Sequence, residues 1–221
     1  MNIRTVDREL VRAAFALAGE RGWQRVSVAA AAKRAGIDLS QARLRFSSTM
    51  DLVARFWSLA DAAGLENDLG EGSVKDRLFE ILMRRIDFLQ LHRAGVKALM
   101  RSALLDPALS LYLTRQTLNS MGWALEGAGV SGQGLAGQLR CKGLAMIWAW
   151  TIRAWLRDES EDFSVTMASL DAALSRADQI VRGLPTGVAC ILGDESDVPS
   201  DERTQSEMLR AVPDSASRAP D

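Results

Sequence analysis

The stretch WQRVSVAAAAKRAGIDLSQARLRF, residues 23–46, decides the fold. Ser27 is a strong N-cap residue, because its hydroxyl can accept a helix N–H that has no partner in the first turn. The alanine-rich run Val28 to Ala35 that follows favours helix. Gly36 supplies the positive φ that a helix C-terminus commonly adopts, Ile37 an apolar anchor, and Asp38 the cap of a second helix reaching Phe46. Two short helices across a Gly-containing turn make a helix-turn-helix, the unit that can place its second helix in a DNA major groove. The alanines at 29 to 32 let the two helices approach closely. On the second helix Ser40, Gln41, Arg43 and Arg45 are expected to face the groove, with Ser27, Lys33 and Arg34 near phosphates. Arginine suits either contact, since its guanidinium bonds guanine or phosphate.

Charge supports this division. The 221 residues carry a net charge of −1, but residues 1–57 hold ten Lys/Arg against five Asp/Glu, or +5, leaving −6 for the rest. Residues 185–221 hold four of the five prolines and eight acids against three arginines, so this tail is expected to be disordered. At 48% hydrophobic and 25% charged the chain can build a sizeable core. With one histidine and with Cys141 and Cys190 far apart, neither a disulfide framework nor a zinc site is expected, and a reducing cytoplasm fits. The charged N-terminus lacks the apolar stretch of a secretory signal. The longest apolar run, Gly143 to Ile152, is too short for a bilayer, which needs about 20 residues, so no stable membrane insertion is expected.

Outward from the central stretch, helical spacing of apolar residues predicts an opening helix over Asp7 to Glu20 and a fourth helix from about Leu52, joining a basic head to a body. Trp23 reads as a core aromatic at the base of the head. Glycines and acids from Gly64 to Ser73 mark a connection. Body helices are expected over Val74 to Leu91, Arg93 to Leu105, Pro107 to Glu126, Gln138 to Arg157, and from a cap at 160–162 to Val181. Asp106 and Pro107 form a cap followed by proline at the first helical position, where its missing N–H is harmless. The expected fold is therefore all-α, with a helix-turn-helix domain at 1–57, a ligand-binding and dimerisation domain at 58–184, and the acidic tail.

Three other features carry less. Gly127 to Gly132 matches a dinucleotide-binding spacing, but it follows a helix where that motif needs a strand. His92 has no catalytic companions in sequence, and the acids around Asp158 suit a helix start, so no enzyme and no cofactor is expected. Met83, Met100, Met121, Trp123, Met146 and Trp150 lie on body helices and could line a pocket for a small apolar ligand, or fill a core or dimer seam.

With Glu20-Arg-Gly22, Val26-x-Val28, Ala31-Ala-Lys-Arg-Ala-Gly-Ile37 and Phe46-x-Ser48 before Leu52, residues 8–57 resemble the TetR family of bacterial repressors. The resemblance implies a homodimer whose last two body helices form a four-helix interface, a body pocket for an effector, and binding to a double-stranded DNA operator. It would read the groove with heads roughly 34–36 Å apart. The sequence departs from the family at Asp38, Arg43, Arg45 and Thr49, where Ser or Thr, Tyr, His and Lys are common. Loss of the lysine removes a usual phosphate contact.

A second set, Ser120-Met121, Ala128-Gly129, Leu144-Ala-x-Ile147 and Asp158-x-Ser160-x-Asp-Phe-x-x-Thr166 through Leu170-Asp171, resembles the lipid-binding accessory proteins of coenzyme Q (ubiquinone) biosynthesis. Those proteins share the fold without regulating transcription. That resemblance implies an isoprenoid-like ligand presented to a partner enzyme.

Overall fold

The computed structural model describes residues 3–66, 70, 72–160 and 162–183. The tail at 185–221 lies outside the described residues. Among the described residues the regular structure is helical: α1 (Ile3–Arg21), a 3-10 turn at Trp23–Arg25, α2 (Val28–Ala35), α3 (Leu39–Arg45), α4 (Thr49–Gly64), α5 (Val74–Gln90), α6 (Arg93–Ala103), α7 (Pro107–Gly127), α8 (Gly134–Trp155) and α9 (Ser164–Gly183).

The ends follow from capping chemistry. Ser27 Oγ accepts from Ala30 N at 3.1 Å, and Gly36, at φ 65°, closes α2 in the left-handed conformation. Asp38 accepts from Ser40 N at 2.8 Å to start α3. Reciprocal capping boxes start α4 (Ser48 with Asp51) and α5 (Ser73 with Asp76). Asp106 caps α7 with Pro107 just inside. The fourth helix begins three residues before Leu52 because its box lies in the polar residues ahead of the apolar stripe. Helix α8 starts at Gly134, four residues earlier than expected, inside the glycine-rich segment.

Helices α1 to α3 and the first half of α4 enclose the head core, with Leu10, Phe15, Ala31, Ala42 and Phe56 almost wholly buried. Trp23 is buried, its ring 5.6 Å from that of Phe15. Helix α4 continues unbroken across residue 57 and delivers Trp57 and Asp61 to the body. There Leu82, Ile86, Leu99, Met121, Trp155 and Leu170 form the packed interior. Head and body also meet where α1 lies along α6: a Cβ at Gly95 would collide with the carbonyl oxygen of Phe15, so only glycine permits this approach. Beside it His92 packs edgewise on Phe56 and Phe15, at 5.4 and 6.1 Å. Burial, and then the charge of Arg12, lowers its pKa and favours the neutral ring.

Candidate nucleic-acid interface and ligand cavity

Because α3 buries only Ala42 along its length, with Phe46 anchoring its end, the remaining side chains project outward. Gln41 and Arg43 are exposed on this helix and Lys33 on α2, and among the described residues no side-chain partner holds them. The other expected contacts are used differently. Ser27 Oγ is the cap of α2, and Ser40 Oγ donates to Asp38 at 2.6 Å. Arg34 grips both carboxylate oxygens of Glu20 on α1, at 2.8 and 2.6 Å.

Arg45 requires a correction. Its Nε and Nη2 both donate to the buried carboxylate of Asp7, the Nη2 bond at 2.7 Å, and Arg55 of α4 donates to the same group at 2.5 Å. Burial works to raise the Asp7 carboxyl, but the two guanidiniums outweigh it and hold the pKa below its ordinary value. Arg45 is thus a structural tie between α3 and α1, and Gln41 and Arg43 are the exposed polar side chains of α3 that no such tie holds among the described residues. The sequence signal for this pair was weak, since its partners are 38 positions apart. Leu44, 88% exposed on α3, was also missed: a leucine turned to water is visible only once Ala42 is known to face inward.

In the body a cavity of about 880 Å³ opens between α6, α7 and α8. Its walls include Trp57, Val96, Met100, Leu113, Trp148 and Ile152, which gives a mostly apolar interior. Next to it the guanidinium of Arg85, 2% exposed, lies 4.7 Å from the Trp148 ring centre and 5.9 Å from that of Trp57. Arg85 Nη1 stands 2.6 Å from Asp61 Oδ1, and Ser120 Oγ donates to Asp61 Oδ2 at 2.8 Å. Burial raises the Asp61 carboxyl, against the pull of Arg85 and Ser120.

Of the six residues expected to line a pocket, Met100 borders this cavity. The placement of the others is corrected. Met121 is sealed in the core and Met83 is half-buried away from the cavity. Trp123, Met146 and Trp150 are 63%, 75% and 63% exposed. Met146 and Trp150 border a shallow groove on the outer face of α8 with Arg153 and Arg157. The cause is rotational: Trp148 and Trp150 are two residues apart on a helix of 3.6 residues per turn, so one faces inward and the other outward.

The residues of the second resemblance also acquire a local explanation. Asp158, buried at the α8–α9 turn, accepts from Ser160 Oγ, from Thr166 N at 2.8 Å and from Thr166 Oγ1 at 2.6 Å. Bonds from Ser160, then Thr166, hold its carboxyl far below the ordinary range. Gly127 to Gly132 closes a helix among helices, with Gly129 at φ 79°. Among the described residues no group of acids, cysteines or histidine converges to hold a metal ion, and no helix is long and apolar enough to cross a membrane.

The architecture is that of TetR-type proteins, an all-α helix-turn-helix head on a helical body. A TetR transcriptional regulator from Nitrosomonas europaea ATCC 19718 superposes with a TM-score of 0.66 at 22% identity, covering 79% of this chain and 99% of that one. A putative TetR-family transcriptional regulator from Rhodococcus sp. gives 0.55 at 18%, over 77% and 97%. A TetR transcriptional regulator from Rhodococcus sp. RHA1 gives 0.55 at 19%, over 83% and 100%. At such identities the likeness establishes the fold. No family model matches the sequence, and no curated protein matches it significantly.

Proposed function

We propose that the protein is a homodimeric, ligand-controlled DNA-binding regulator, acting as a repressor, with α3 in the major groove. The observation that carries this reading is the double role of α6. One part of it, Val96, Met100 and Ala103, lines the cavity, while Gly95 seats α1 of the head. A ligand that prefers one position of α6 therefore also prefers one position of the head. It releases DNA to the extent of that difference in affinity. The dimer face is assigned to α8 and α9, which pack together yet leave Leu139, Met146 and Trp150 and, on α9, Val165 and Ile180 exposed. An apolar face of this kind is a usual sign of a protein interface.

The test is fluorescence anisotropy with DNA from upstream of the gene, across a salt series, against an unrelated duplex. Specific binding with a steep salt slope is expected, as phosphate neutralisation by the head requires. Arg43→Ala should weaken it by about 1–3 kcal/mol, the scale of a guanine contact. Unchanged affinity in that variant would overturn the assignment of α3. The alternative, a lipid-binding accessory protein that supports ubiquinone synthesis, draws on the same apolar cavity. It would take precedence if native mass spectrometry found an isoprenoid lipid co-purifying while both duplexes bound equally weakly.

A further inference from the structure

We infer that the cavity takes an amphipathic anion, an apolar chain or ring ending in an acid group such as a carboxylate. The inference rests on the reading above only in treating the cavity as the ligand site. The cavity walls differ by element. Helix α8 supplies apolar surface, whereas α6 brings Lys97 and Arg101, one turn apart, to the same space. No acid lines it. Among the described residues neither cation has an ion-pair partner. The nearest acid in sequence, Asp106, spends Oδ1 on capping α7, at 3.0 and 3.1 Å from Ala108 N and Leu109 N.

Hydrogen-bond donors accompany this charge. Ser110, Thr114 and Thr117 face the cavity from α7; Thr114 returns its proton to the Ser110 carbonyl at 2.9 Å, which leaves Ser110 and Thr117 as donors. In the wall, the buried Nε1–H of Trp57 has no hydrogen-bond acceptor among the described residues. A buried donor without a partner is uncommon in native proteins, and a ligand oxygen that reached the indole would satisfy it. A neutral apolar molecule gains burial alone, and a cation meets Lys97 and Arg101 unfavourably. An anion gains burial and charge-assisted hydrogen bonds, with the Arg101 fork matching a carboxylate.

The experiment compares three ten-carbon probes, decanoate, decanol and decyltrimethylammonium, by tryptophan fluorescence titration on the full chain, with the DNA anisotropy assay run alongside. Decanoate should bind at least about tenfold more tightly than decanol, with the ammonium weakest, and the advantage should shrink as salt screens the two cations. The variant carrying Lys97→Gln and Arg101→Gln, both at solvent-accessible positions, should bind decanoate as weakly as decanol while leaving decanol binding and the melting temperature unchanged. Equal affinity for decanoate and decanol, no binding of any probe, or decanoate binding unaffected in that variant overturns the inference. If decanol alone binds and releases DNA, the anion inference falls and the regulator reading stands. If decanoate binds through Lys97 and Arg101 to a protein that holds no DNA, the reverse is true.

Discussion

Two aspartates organise the two halves of this molecule, and their surroundings shift them in opposite directions. In the head, Asp7 faces two guanidiniums, Arg45 and Arg55, whose side chains remain 28% and 41% exposed. In the body, Asp61 faces one, Arg85, which is almost wholly removed from water. Attraction outweighs burial at Asp7, so its pKa falls; burial outweighs attraction at Asp61, so its pKa rises. A carboxylate with two hydrated partners stabilises the fold that holds it. A buried pair with a single contact largely offsets its own desolvation, and its contribution lies in fixing where Trp57, Trp148 and α7 stand.

The sharpest way to break this comparison is Arg85→Met. It leaves Asp61 without its counter-charge and should cost about 3–5 kcal/mol, measured by urea unfolding. Adding Asp61→Asn should restore most of that loss, because the two changes act on one pair. No recovery would mean that Arg85 acts by packing alone. In Arg85→Met the loss should grow as pH rises from 3.8, the ordinary aspartate value, through the raised folded-state pKa, since the folded state then binds the proton more tightly than the unfolded chain.

Asp7→Asn should cost less, about 2 kcal/mol near neutrality, the scale of hydrogen bonds to a charged group. Its pH dependence has the opposite sign. A depressed folded-state pKa contributes stability above 3.8 that is lost as pH falls through the folded value, so the gap between wild type and variant should close on acidification. A gap that widened in acid would contradict the assignment. Smaller still is Arg55→Ala, at under about 1 kcal/mol, because Arg45 remains on Asp7 and Arg55 is partly solvated. Arg43→Ala should leave stability within about 0.5 kcal/mol, as expected of a surface residue with no side-chain partner among the described residues, so any loss of DNA affinity in it reports contact and not folding.

Much of the head could be read from residues because its signals are local. Ser27, Gly36 and Asp38 act within four positions of themselves, and a cap or a left-handed turn needs no knowledge of the rest of the chain. The tie from Arg45 to Asp7 depends on how α1 crosses α3, which no local pattern encodes. In the body, helix boundaries were also legible, but not which side of each helix faces inward. Helix α8 carries Trp148 and Ile152 toward the cavity and Met146 and Trp150 away from it, so periodicity offers two apolar faces and no choice between them. Lys97 and Arg101 were overlooked for the opposite reason: cations on an amphipathic helix read as its solvated side, and only the placement of α7 and α8 shows that this side also borders the cavity.

Helix α4 turns these local facts into mechanics. It is 16 residues long, roughly 24 Å at 1.5 Å per residue, with its capping box in the head and Asp61 held in the body near its other end. A shaft of that length pivoting about 5° at its body end sweeps its far end through about 2 Å. In the proposed symmetric dimer both ends would move together, so the separation of two heads would change by up to about 4 Å, against a groove repeat of roughly 34–36 Å. Under the proposed regulator reading, a shift of a few tenths of an ångström beside Trp57 would thereby be geared up to a mismatch of DNA register.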